Sequence, residues 1–273
     1  MNQPQVLVDG IAFGESVRWR DGRVWYCDWI DGTVCSVSPD GLDPTTHAKV
    51  NGLPICIDWT DKGELLIVDG SKGEVLKQAD SGALSQLADL SSVSDRPWNE
   101  VAAHPSGRIY LNGIGFDMMG GEPPSGGLIA VLEADGSVRQ VVDDLEFPNG
   151  MIITQDGSTL IVAESYAGRL TAFTITADGV LIDRRVFAAV DESAPDGISF
   201  TKNEDAVWYA DVPNRHCRLV REGGEVLKTI EVDRGCFSCA IGEDDRLYIA
   251  ATVWDDQTFA SRRGRLLASD QLP

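Results

Sequence analysis

The stretch Phe147–Ser165, FPNGMIITQDGSTLIVAES, decides the fold. MIIT and TLIVAES are apolar, β-branched runs of strand length, and QDGS between them has the composition of a tight turn. The start is the unusual part: a polar Asn149 beside Gly150 leads straight into an apolar strand. For that pair taken alone two explanations stay open, an ordinary turn or a ligand held at the end of a sheet.

The unit is not alone. It recurs as GESVRWRDGRVWYCDW from Gly14, ICIDWTDKGELLIVDG from Ile55, WNEVAAHPSGRIYLNG from Trp98, PDGISFTKNEDAVWYADV from Pro195 and FSCAIGEDDRLYIAAT from Phe237. Each copy is followed by another strand pattern, such as GTVCSVS or GRLTAFTIT. The copies start ~40–50 residues apart, the spacing of propeller blades. No long stretch shows helical periodicity. The pattern predicts an all-β fold, a six-bladed β-propeller with four antiparallel strands per blade, as one domain over residues 1–273. A β-sandwich leaves six matched units unexplained. The last copy shows only three clear strands, so QVLVDG (Gln5–Gly10) is expected to supply the outer strand of the final blade. That closes the ring and protects edges that would otherwise pair with other chains.

The polar position at the head of each unit precedes the innermost strand, so six such positions converge on one mouth of the central channel. Around the ring they read Glu15, Cys56, Asn99, Asn149, Asp196 and Ser238. Two carboxylates and two amides meeting there repel one another or lie poorly hydrated unless something binds between them. Oxygen ligands from Asp, Glu and Asn suit a hard divalent cation.

Composition agrees with such a site and removes other classes. The chain is 43% hydrophobic and 24% charged, as in soluble globular proteins. Its 23 basic and 43 acidic residues leave a net charge of −20, against nucleic acid or an anionic membrane as partner. The N-terminus lacks a basic segment followed by an apolar core, and no apolar run reaches membrane-spanning length, so a cytoplasmic location is expected. The six cysteines are then expected to be reduced and mostly buried. Cys236 and Cys239 form a lone C-x2-C, read as core packing and not as a zinc site. The three histidines do not cluster, and His104, before a turn, is expected to be exposed. No G-x-S-x-G elbow and no phosphate-cradling glycine loop is present.

The motifs GESVRW at Gly14, RPWNEVAAHPSGRIY at Arg96, FPNGMIITQDG at Phe147 and APDGISF at Ala194, in this order and in these blades, resemble the SMP-30/gluconolactonase/LRE-like propellers. The likeness runs from about Ile11 to Leu267. It implies one divalent metal, whether Ca, Mg, Mn, Zn or Fe, held by Glu15, Asn149 and Asp196. It also implies that Asn99 and Arg96 contact substrate. The chain departs from the family's R-x-N-D segment: RPWNE has one extra residue between Arg and Asn, and Glu100 stands in place of Asp. The implied activity is hydrolysis of a small-molecule lactone, often a sugar lactone. Asp196 is the candidate base, and water acidified by the metal is the alternative. Relatives that hydrolyse phosphotriesters, and a non-catalytic calcium-binding regulatory propeller, are the competing readings. Relatives that make carbon–carbon bonds, like strictosidine synthase, lack this ligand set. A closed propeller needs no partner to cover an edge, so a monomer or small homo-oligomer is expected.

Two long Gly- and Pro-rich or polar segments, 112–127 and 253–264, interrupt the third and last blades. By chain direction both rise on the mouth side, where they are expected to act as lids. Phe116, Met118 and Met119 read as exposed; Phe116, Met118, Trp254 and Phe259 are expected to form an apolar wall suited to a substrate less polar than a bare sugar lactone.

Overall fold

The computed structural model describes residues 3–270, and within them six four-stranded antiparallel sheets stand around a central channel. Their innermost strands are Gly14–Arg20, Ile55–Trp59, Trp98–Ala103, Pro148–Ile153, Pro195–Phe200 and Gly235–Ile241, numbered here as blades 1 to 6. Blades 1 to 5 use four strands in chain order. Blade 6 takes three from its own segment and its outer strand from Gln5–Ile11, which pairs antiparallel with Gly264–Asp270. The predicted propeller and its closing strand are therefore both present.

Position in the blade explains the strand patterns. The second strands Leu65–Asp69, Ile109–Gly113 and Val207–Asp211 are buried at every residue, because neighbouring blades cover both faces of each sheet. Such strands read as unbroken apolar runs. The outermost strand Leu181–Ala189 faces solvent through most of its length and carries charge. The core is divided accordingly, with one apolar cluster at each of the six seams between blades. Side chains also tie neighbouring inner strands: Ser16 Oγ accepts from Ile57 N at 3.0 Å, Asp58 Oδ2 from Ala103 N at 2.7 Å, and Ser238 Oγ from Val17 N at 2.9 Å.

The turn in QDGS forms as the composition predicts. Gly157 has φ of 72° and its N–H donates to Thr154 O at 2.8 Å. His104 is half-buried instead of exposed, because its ring bonds Gly157 O at 2.9 Å and Ser106 Oγ at 2.7 Å, joining the turns of blades 3 and 4. The cysteines are unpaired, and all but the half-buried Cys35 are buried; Cys236 and Cys239 pack with Cys217 in the seam between blades 5 and 6. No helix among the described residues is long and apolar enough to cross a membrane.

Candidate functional site

Asn149-Gly150 and Asp196-Gly197 are not turns. Both lie inside innermost strands, and neither glycine has positive φ. The glycines answer to the neighbouring strand. A Cβ on Gly150 would sit 2.7 Å from Asp196 O and Ile198 N, and one on Gly197 would sit 2.7 Å from Ser238 Cα. The inner strands thus approach backbone to backbone at the mouth, which only glycine allows. Pairing with the second strand breaks register at the same level in five blades, at Glu15/Arg18, Trp98/Glu100, Pro148/Met151, Pro195/Ile198 and Cys236/Ser238. Bulges of this kind re-aim a side chain. The inner strand of blade 2, which carries Cys56, pairs without a break.

Glu15, Asn99 and Asp196 are buried and Asn149 is half-buried. Asn99 Nδ2 donates to Asn149 Oδ1 at 3.2 Å and to Pro148 O at 3.3 Å. Asn149 Nδ2 lies 3.5 Å from Ser165 Oγ, whose hydroxyl donates to Pro195 O at 2.7 Å. These contacts set the Asn149 amide with its nitrogen toward Ser165 and its oxygen toward Asn99. Glu15 Oε2 accepts only a local bond, from Ser16 N at 3.0 Å. Asp196 Oδ1 is buried with no hydrogen-bond partner.

Electrostatics single out the same pair. Burial, followed by the charges of Glu15 and Glu100, pushes the Asp196 carboxyl well above the ordinary range. Burial also raises Glu15, with Glu100 adding to the effect. Two buried carboxylates that repel each other, one with an orphaned oxygen, beside an amide oxygen, form an all-oxygen donor set that fits a hard divalent cation. Among the described residues no group of three or more His, Cys, Asp and Glu side chains is disposed to hold a metal. The set here has two carboxylates, with an amide as its third member.

One cation shares the channel. Arg18 crosses from blade 1 to blade 3, its Nη2 2.8 Å from Glu100 Oε2, with side-chain exposures of 19% and 7%. Burial opposes the Arg18 charge, but Glu100 and Asp58 outweigh it and raise its pKa. Burial in turn raises Glu100 and Asp58 against the pull of Arg18. Three carboxylates, Glu15, Asp58 and Glu100, thus feel the Arg18 guanidinium. Sequence reasoning passed over Arg18 and Asp58. Their signal was a charge at an inward register of an innermost strand.

The other expected residues lie around the rim. Arg96 is paired with Glu122 at 3.0 Å, on the 114–126 segment, and with Asp95 at 3.5 Å. Phe116 is buried, contrary to expectation, because its ring packs edge-on to Phe147 at 5.8 Å and beside Tyr166 at 6.4 Å. Met118 and Met119 are exposed as expected. Nor do the loop rings form one wall. Trp254 and Phe259 pack with Phe13 and Phe237 at the seam of blades 6 and 1, apart from the Phe116 group at the seam of blades 3 and 4.

Residues 13–253 match the family model described as the SMP-30/Gluconolactonase/LRE-like region. Pentonolactonase XacC of Haloferax volcanii is 26% identical over 214 residues, covering 71% of this chain and 67% of that protein. Protein STRICTOSIDINE SYNTHASE-LIKE 3 of Arabidopsis thaliana is also 26% identical, over 217 residues that cover 75% of this chain and 54% of its own, so the chain spans about half that relative's length. Among solved structures, the calcium-binding protein regucalcin of Agrobacterium tumefaciens superposes with a TM-score of 0.78 at 20% identity, covering 97% of this chain and 92% of its own. With the family model spanning most of the ring, the chain belongs to the SMP-30/gluconolactonase/LRE-like family of six-bladed propellers.

Proposed function

We propose that the protein hydrolyses a lactone at the channel mouth with the help of one divalent cation held by Glu15, Asn149 and Asp196. The observation that carries this is the pair of buried, mutually repelling carboxylates, with Asp196 Oδ1 left without a partner. The printed name of the pentonolactonase relative supports the substrate class. When bound, the ion supplies a Lewis acid for the carbonyl oxygen and for the negative charge that develops on it.

The chain's own residues do the rest. Asp196 takes a proton from the attacking water as the water oxygen bonds to the carbonyl carbon. The bond from that carbon to the ring oxygen then breaks, and the proton passes to the departing alkoxide, giving a hydroxy acid. Asn99, bonded to Asn149 and Pro148, keeps the Asn149 amide in one orientation and presents the rest of its polar edge to substrate. Arg96 reaches substrate only by leaving Glu122.

The test is proton release in weak buffer over sugar and aliphatic lactones, first with metal-stripped protein and then with Ca²⁺, Mg²⁺, Mn²⁺, Zn²⁺ or Fe²⁺ restored. Metal-dependent release that Asp196→Ala abolishes, with the fold intact by circular dichroism, is the expected result. Release independent of metal overturns the mechanism. Turnover of phosphotriesters alone, or tight calcium binding without turnover, transfers the site to one of the competing readings.

A further inference from the structure

We propose that the lactone taken at this mouth carries an apolar alkyl or aryl substituent on its ring, an inference that deepens the hydrolase reading and rests on it. Two aromatic groups stand at opposite sides of the ring, at the seam of blades 3 and 4 and at the seam of blades 6 and 1. At the first, Phe147 stacks on Tyr166 at 4.6 Å, with Phe116 beneath. At the second, Phe237 packs on Phe13 at 4.7 Å and on Trp254 at 5.5 Å. Each group ends in one ring open to solvent, Tyr166 at 55% and Trp254 at 52% exposure.

Chain direction puts every one of these rings on the mouth side, where the inner strands begin and the second strands end. Phe13 precedes Glu15 by two residues, Phe147 precedes Asn149 by two, and Phe237 precedes Ser238 by one. Phe147 also has φ of 58°, a left-handed conformation that is rare for a bulky side chain and clusters at functional sites. A ring held in that conformation beside a site residue is a built feature of the mouth. Hydroxyls of a sugar lactone need hydrogen-bond partners at this level, and ring faces supply almost none; an alkyl chain or aryl ring gains from packing on either wall.

The experiment measures kcat/KM for the full chain, loaded with the ion that supports turnover best. The substrates are γ-butyrolactone, its γ-butyl and γ-octyl derivatives, and glucono-1,5-lactone. A methylene fully buried against either wall strengthens binding about threefold to fourfold. The octyl derivative should therefore exceed γ-butyrolactone by at least tenfold and exceed the sugar lactone as well. Tyr166→Ala or Trp254→Ala should lower the octyl-to-unsubstituted ratio at least fivefold, according to which wall the chain lies on; an unchanged ratio in both overturns the inference. A flat or falling series, with the sugar lactone turned over, overturns the inference and leaves the hydrolase reading standing. Should no lactone be hydrolysed, the hydrolase reading falls, and calorimetric titration with the matching γ-alkyl lactams decides the walls. Affinity that rises with chain length upholds them, and uniform or absent binding overturns them.

Discussion

Asp196→Asn should make the metal-free protein more stable at pH 8 while destroying its response to metal. Asp196 is 7% exposed, Glu15 is 6% exposed, and the Asp196 carboxylate has an orphaned buried oxygen. Burial, then Glu15 and Glu100, raise its folded pKa above the unfolded value. A raised pKa means that the folded state holds the proton more tightly. The stability this contributes is fully present below the unfolded carboxylate value, about 3.9, and is lost as pH rises through the folded pKa. At pH 8 the unfolded chain favours the ionised form that burial penalises in the folded wild type, and asparagine carries no such penalty. Leaving a buried group unsatisfied costs about 1–3 kcal/mol, and more when it is charged. With about 2–4 °C in Tm per kcal/mol for a chain of this size, a difference of about 2 kcal/mol gives about 4–8 °C. Scanning calorimetry of metal-stripped protein at pH 5 and pH 8 reads this directly, and the gap should narrow at pH 5. A divalent ion at a hundred times its Kd should then raise wild-type stability by about 2.7 kcal/mol and leave the variant nearly unmoved. Metal-free Asp196→Asn melting at or below wild type at pH 8 would refute the idea that Asp196 is an uncompensated charge awaiting a cation.

Gly150→Ala places a methyl 2.7 Å from backbone atoms of the next blade, so those strands must separate. A loss of about 1–3 kcal/mol, or more, is expected on chemical denaturation, with weaker metal binding by calorimetry; wild-type values for both would deny the close approach. Deleting residues 1–11 removes the strand paired with Gly264–Asp270 and bares an edge of blade 6. Size-exclusion chromatography should show aggregation, and the unfolding transition should broaden; a monomer that melts like the full chain would show that closure is dispensable. Arg18→Met leaves Glu100 and Asp58 without their counterion, which should destabilise the metal-free protein by about 3–5 kcal/mol. The same change should strengthen metal binding by isothermal titration, because the channel becomes more negative; weaker binding would place Arg18 in support of the ligands instead of in competition with the ion.

The parts of this molecule that were legible in the sequence are those fixed by local period and by repetition. Strand, turn and strand recur in one register, so blade number, the missing outer strand and its supply from Gln5–Ile11 follow from counting. The mouth-side set Glu15, Asn99, Asn149 and Asp196 was legible for the same reason, since one position per repeat must converge when the repeats form a ring. What stayed hidden depends on contacts between blades. Phe116 looked exposed in a Gly- and Pro-rich segment because its partners, Phe147 and Tyr166, belong to the next blade. Arg18 meets Glu100 across 82 positions of sequence, and neither residue announces the other.

Asn-Gly shows the limit most clearly. Locally it is a turn signal, and at Asn149 and Asp196 that signal is misleading, because the glycine is required by the backbone of the neighbouring blade. That requirement also explains why the site can exist. Closely packed inner strands leave no room for side chains to fold away. A polar residue just before each glycine is therefore held at the mouth, where Asn149 finds Asn99 and Ser165 while Asp196 Oδ1 remains without a partner.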